Sequence, residues 1–211
     1  SLHHAEMLYN QGIIKIDEAE KIKKGLLIVK QEIKKNKMVF KNDLEDIHTH
    51  IDSRLIELIG PVGKKLHTAR SRNDQVVTAT KIWAREECNE IDFLLKNLQK
   101  SLIKKAEIHK KDIMPGFTHL QPAQPILLAH HLLAYINMFG RDRENNNSLL
   151  SRHNFSPLGS AALAGTTFNI NREETANKLG FEGIMRNSLD AVSDRDFVID
   201  ILNLCSLIFI H

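Results

Sequence analysis

The stretch Asn73 to Lys110, NDQVVTATKIWAREECNEIDFLLKNLQKSLIKKAEIHK, decides the fold class. Within it Ala84, Cys88, Ile91, Leu95, Leu98 and Leu102 recur at alternating intervals of 4 and 3 residues. That spacing is the apolar stripe of a helix packed along a bundle seam. At 1.5 Å per residue the helix would be ~55 Å long. A compact small domain does not need such a length, which points to an elongated bundle assembled from several subunits.

Working toward the N-terminus, a polar loop from Gly63 to Arg72 precedes this helix. Before it, Asp43 is placed to cap a helix from Leu44 to Ile59, which Gly60-Pro61 ends. Asp17 can cap another running to about Lys35, with Glu20 at capping-box spacing. Working toward the C-terminus, Met114-Pro115-Gly116 breaks the chain. Pro125 then suits the first turn of a helix from Ile126 to about Leu150, apolar nearly all round and so expected in a bundle centre. A tight Gly/Ala-rich connection, Ser156 to Thr167, leads to a short helix from Asn171, with Glu174 at capping-box spacing. A last helix begins near Asp194. No strand-type alternation of useful length is visible, so the expected class is all-α. Residues 1–60 read as part of an N-terminal helical domain and 61–211 as part of a central helix bundle.

Composition narrows the function classes. With 42% hydrophobic and 26% charged residues, the 211-residue chain matches the usual soluble level and can support a real core. A net charge of +3, with Lys and Arg interleaved among Asp and Glu, gives no case for nucleic acid. The lysines between Lys21 and Lys37 read as a solvated helix face. Cys88 and Cys205 lie inside apolar helical patterns and read as reduced core residues of a cytoplasmic protein. Phe197 to Ile210 is the most apolar segment, but it contains Asp200 and Asn203 and is shorter than the ~20 residues a membrane span needs. It reads as a buried helix. The opening residues do not read as a signal peptide. Both ends read as cut, and a longer natural chain is expected.

Three polar islands fall at the ends of the long helices, where bundles carry functional groups. The first, His67-Thr-Ala-Arg-Ser-Arg-Asn-Asp-Gln75, gathers Arg70, Ser71, Arg72, Asn73 and Asp74 at a loop-to-helix junction. Helix N-termini favour anions, and arginine forks suit carboxylates. A helix cap with surface arginines is the plain alternative. The second, Pro115-Gly-Phe-Thr-His-Leu-Gln-Pro-Ala-Gln-Pro125, holds Thr118 and His119 in a proline-stiffened loop. His119 is the group best suited to move a proton near neutral pH. The third, Ser156-Pro-Leu-Gly-Ser-Ala-Ala-Leu-Ala-Gly-Thr166, allows close backbone approach, for which packing is the favoured reason. Arg195, flanked by aspartates, reads as readily as a structural ion pair as a substrate contact. His48 and His50, and His130 and His131, do not share a helix face at their spacings, and no metal-ligand motif occurs. No metal site is expected.

These islands resemble motifs of the argininosuccinate lyases, within the aspartase/fumarase superfamily of helical homotetramers. The resemblance rests on His67 to Val76, Pro115 to Gln121, Pro157-Leu158-Gly159, Glu45-Asp46-Ile47-His48, and Asn187 to Asp190 with Ser193 to Phe197. It spans essentially all 211 residues. Thr-His-Leu-Gln is shared across the superfamily, whereas Ser-Arg-Asn-Asp-Gln is particular to argininosuccinate lyases. The resemblance implies β-elimination of argininosuccinate to arginine and fumarate, with no cofactor and with sites shared between subunits of a tetramer. By position it assigns proton transfer to His119 and substrate binding to Asn73 and Thr118, with Ser71 and Arg72 beside Asn73 as secondary contacts. His48 lies in a motif near the site.

Pro122 stands where the family usually has Arg, and Ala69 where many members have Gly. The family's Gly-Ser-Ser-x-Met-Pro-x-Lys-x-Asn loop, with its catalytic serine, would follow residue 211, so this piece alone is expected to be inactive. Two other readings remain open at this point. One is a sister fumarate-releasing lyase; the other is a non-catalytic helical scaffold of the crystallin type.

Overall fold

A computed structural model describes residues 1–211, and its contacts divide the chain into two compact units. One unit comprises Ser1–Thr80 and Phe155–Asp194; the other comprises Lys81–Asn154 and Arg195–His211. Residues 155–194 return to pack with the first eighty.

In the first unit, α1 (Leu2–Asn10), α2 (Ile16–Lys34) and α3 (Ile47–Ile59) enclose a core of Met7, Leu8, Ile22, Leu26, Leu55 and Leu66. The expected cap of α2 shifts by two residues. The helix opens at Ile16, which puts Glu18 in position to accept the N–H of Lys15 at 3.0 Å, in place of the Asp17 and Glu20 pair. Likewise Asp46, not Asp43, caps α3. Its Oδ1 accepts both the N–H (2.7 Å) and the hydroxyl (2.9 Å) of Thr49. Residues before Asp46 stay out of the helix because the His50 ring holds them. Nε2 accepts the N–H of Lys41 at 2.8 Å, while Nδ1 donates to the Asp46 carbonyl at 2.7 Å. The first part of the expected Gly63 to Arg72 loop belongs to a 3₁₀ turn, Gly60–His67.

The long helix α4 runs over Arg72–Ile108, close to its expected bounds, and is continuous across 37 residues. In the second unit, the two strands β1 (Ile113–Thr118) and β2 (Gln121–Leu127) correct the expectation of a loop followed at once by a helix. They form an antiparallel hairpin in which Pro115 faces Pro125 and Thr118 faces Gln121. Both strands of a two-stranded ribbon are edges, so the prolines cost no interior ladder bond. A bulge falls between Pro115 and Phe117, where only glycine fits: a Cβ on Gly116 would lie 2.8 Å from the Gln124 carbonyl. Ile126 and Leu127 are engaged in the ladder with Met114 and Ile113, and α5 therefore starts at Leu128 and runs to His153.

Cys88, Leu149 and Leu204 form an apolar cluster in this unit, with Cys88 fully buried. The last helix, α8 (Asp196–Ile210), is less buried than its composition suggests. Phe197 and Leu204 turn inward, whereas Ile199, Leu202, Phe209 and Ile210 are exposed on the single chain. In the first unit, β3 (Phe155–Ser156) and β4 (Gly183–Ile184) pair in parallel and bracket a loop and α6 (Arg172–Lys178); α7 (Ser188–Ser193) follows. Asn171 and Asn187 cap α6 and α7 through their side-chain oxygens. The chain is thus mainly helical, with two small strand pairs. No helix is long and apolar enough to cross a membrane.

Candidate active site

The first island folds into a dense junction at the start of α4. Ala69 has φ 58°, a left-handed conformation that costs a side chain roughly 1–2 kcal/mol. This gives a physical reason why glycine suits the position. Arg70 is then driven into the interior. Its Nη1 donates to the Ser1 hydroxyl at 3.2 Å and its Nη2 lies 3.8 Å from Asp52, while Nε and Nη2 have no hydrogen-bond partner. Burial lowers its pKa, and the charges of Asp52 and Asp74 oppose that shift.

Arg72 points its guanidinium toward α3. Nε lies 3.3 Å from Asp46, and Nη2 lies 3.4 Å from Asp52 and donates to the Thr49 hydroxyl at 3.2 Å. Nη1 donates to Gln75 at 2.6 Å. Its fork is therefore occupied by the chain's own carboxylates. The half-buried His48 lies in the same field. Burial lowers its pKa, Asp46 and Asp52 oppose the shift, and Arg72 and Arg70 reinforce it.

Asn73 is exposed and Ser71 partly buried. The Ser71 hydroxyl accepts the N–H of Asn73 at 3.2 Å, and the Asn73 amide donates to the Ala162 carbonyl at 2.9 Å. Asp74, next in sequence, is fully buried. One carboxylate oxygen accepts the N–H of Ser71 at 3.0 Å. The other accepts those of Gly159 at 2.9 Å and Ala161 at 2.8 Å. Burial pushes its carboxyl above the usual range, against the pull of these three donors and of Arg70.

The third island thus packs against the first. Gly159 (φ 93°) must be glycine, since a Cβ would lie 2.6 Å from the Arg172 side chain. Arg172 secures the far side of this loop, donating to the Leu158 carbonyl at 2.9 Å and to the Met185 carbonyl at 3.1 Å. Arg195, in the Asn187–Phe197 stretch, stands at the N-cap of α8.

The second island is the hairpin tip in the other unit. Thr118, His119, Leu120 and Gln121 are all exposed, Leu120 by 94%. His119 and Leu120 have φ of 48° and 60°. Two successive positive-φ residues between paired Thr118 and Gln121 make a two-residue turn of the type that favours Asn-Gly. A His-Leu pair there accepts strain, which is found preferentially at functional positions.

The structure therefore brings Ser71, Arg72 and Asn73 together at one junction, and Thr118 and His119 at one hairpin tip. Sequence reasoning missed the parts played by Asp74, Asp52 and Arg172. Asp74 was visible inside the Ser-Arg-Asn-Asp-Gln motif, but its partners lie in a separate segment. Asp52 and Arg172 carried no local signal beyond their charge.

Residues 2–211 match the lyase family model, and the chain belongs to that family. Its relatives include the argininosuccinate lyase of Paracidovorax citrulli (strain AAC00-1), 52% identical over 211 residues, which are all of this chain and 44% of that protein. The argininosuccinate lyase of Geobacillus thermodenitrificans (strain NG80-2) is 53% identical over the whole chain and 46% of its own length. The chain spans less than half the length of these curated relatives. Among solved structures, an EDDS lyase variant with bound fumarate superposes with a TM-score of 0.86 at 27% identity. The match covers 98% of this chain and 40% of that one.

Proposed function

We propose that the whole protein carrying this chain is a carbon–nitrogen lyase that cleaves argininosuccinate to arginine and fumarate. The observation that carries this reading is the 52% identity to an argininosuccinate lyase across every residue of the chain. Both Ser71-Arg72-Asn73-Asp74-Gln75 and Thr118-His119-Leu120-Gln121 lie within that span. Fumarate, which the similar EDDS lyase variant holds, is the expected product.

The elimination removes a weakly acidic C–H beside a carboxylate. Negative charge gathers on that carboxylate as the C–N bond breaks, the C=C bond forms and the guanidinium of arginine leaves. Fixed N–H and cationic groups are needed to stabilise the charge, and a titrating side chain to carry the proton. In this reading His119 transfers a proton, Asn73 and Thr118 bind substrate, and Ser71 adds a contact. Arg72, already engaged by Asp46 and Asp52, contributes positive charge behind Asn73 rather than a free fork. No metal or cofactor takes part.

The assembly in this reading is a cytoplasmic homotetramer with each site drawing on several subunits. Asn73 lies in the first turn of α4, and the hairpin follows its last turn in sequence. The exposed Ile199, Leu202, Phe209 and Ile210 of α8 offer apolar surface for association. Residues 1–60 then belong to an N-terminal domain and the remainder to the central bundle.

The test is to supply the whole protein separately with argininosuccinate, adenylosuccinate and malate and to follow fumarate. Equal amounts of arginine and fumarate from argininosuccinate alone are expected. Fumarate from adenylosuccinate or malate, with none from argininosuccinate, would assign the chain to a sister lyase.

A further inference from the structure

We propose that Asp74 is a positioning residue for Asn73, acting by pinning the loop 157–165 against the start of α4. The inference rests on the reading of Asn73 as a substrate contact, and it adds a residue and a loop to that site. The connection can be followed atom by atom. Asp74 is fully buried and divides its two carboxylate oxygens between two segments. Oδ1 accepts the Ser71 N–H within its own turn, and Oδ2 accepts the Gly159 and Ala161 N–H groups 85 and 87 residues away.

The residue after Ala161 supplies the carbonyl that receives the Asn73 amide at 2.9 Å. A carbonyl accepts only from the NH₂ end, so this bond fixes which way the Asn73 amide is turned and leaves its oxygen facing away from Ala162. Asn73 is itself exposed, and its N–H donates to the Ser71 hydroxyl. Its orientation therefore depends on a loop that Asp74 holds in place.

That loop needs holding. Gly159 and Ala161 both lie in the left-handed region, at φ 93° and 54°. Two bonds to one carboxylate oxygen are suited to keeping the strained turn closed. Arg172 grips the opposite side through the Leu158 carbonyl, the Ser160 hydroxyl (3.2 Å) and the Met185 carbonyl. Only a carboxylate has acceptors on both sides. An asparagine at position 74 would turn an NH₂ toward either Ser71 or the loop amides, and one set of bonds would be lost.

The experiment is a double-mutant cycle in the whole protein, with argininosuccinate as substrate. Asn73→Ala and Asp74→Asn should each lower kcat/KM by about tenfold or more. The double variant should fall within about twofold of the worse single variant, because Asp74 acts only through Asn73. Hydrogen exchange across residues 157–165 should quicken in Asp74→Asn and stay unchanged in Asn73→Ala. Losses that multiply in the double variant would overturn the proposal, as would an unaltered kcat/KM in a folded Asp74→Asn protein. A fully active Asn73→Ala protein would instead remove the underlying reading of Asn73. Should Asp74→Asn fail to fold, Arg172→Lys loosens the loop from its other side while keeping the charge. The same non-additive pairing with Asn73→Ala is then expected, and multiplied losses would again overturn the proposal.

Discussion

Around Asn73 the chain supplies its own support, whereas His119 stands in solvent at the end of a two-stranded ribbon. The first region is a knot: a buried carboxylate, two arginines turned inward and a strained loop fix one outward-facing amide. In the second region, four exposed residues close a turn whose central pair, His119 and Leu120, adopts a conformation better suited to Asn-Gly. The difference separates two tasks. A binding residue can be preorganised by its own subunit. In the proposed function, the proton-transfer residue His119 sits on an exposed ribbon and acquires its environment from whatever the ribbon meets, which in the proposed tetramer is another subunit.

The largest effect should appear at the hairpin tip. His119→Asn in the whole protein removes the titrating ring but inserts a residue that tolerates positive φ. Turnover should fall by ~10² to 10⁴. Thermal stability should hold or rise slightly, since the turn loses strain. Near-normal turnover would return His119 to a structural role and erase the contrast between the two regions.

A smaller effect should separate the regions by pH. His4 is buried, with Nε2 donating to the Thr68 carbonyl at 3.0 Å beside Arg70. Burial, reinforced by Arg70, pushes its pKa down to about 3. The unfolded chain therefore takes up a proton between the ordinary value of 6.5 and about 3 that the folded chain refuses. Stability is full above the unfolded value and declines as pH falls below it, by at most about 1.4 kcal/mol per pH unit from this group. His4→Gln keeps an N–H donor without the titration. Denaturation midpoints measured across this range should lose part of their acid slope in the variant, with the hairpin untouched. An identical slope would mean that other groups govern acid stability in this unit.

The two regions also differ in how far they could be read from sequence. The seam residues from Ala84 to Leu102 announced α4, because a single helix face is a local pattern. The hairpin was hidden. Pro115, Pro122 and Pro125 argue against strands in general, and their placement on a two-stranded ribbon removes that objection only once the pairing is known. The tip lacks the Asn-Gly pair that marks such turns. At the junction, Ser71, Arg72 and Asn73 were legible as a cluster of polar types. The work of Asp74 was not, because its loop partners are more than eighty residues distant and are backbone amides, which leave no mark in a sequence. The choice of Asp46 over Asp43 as the cap of α3 likewise turned on a non-local feature, the grip of His50 on Lys41.

The central claim is that Asn73 and His119 serve one reaction from different chains. It is tested most directly by mixing whole proteins carrying Asn73→Ala and His119→Asn, dissociating them and reassembling them together. Each parent should be markedly less active than the wild type toward argininosuccinate. The mixture should recover part of the wild-type activity, because some sites in mixed tetramers take both loops from undamaged chains. If mixed tetramers demonstrably form and no activity returns, the two residues do not meet across subunits and the shared-site account is contradicted.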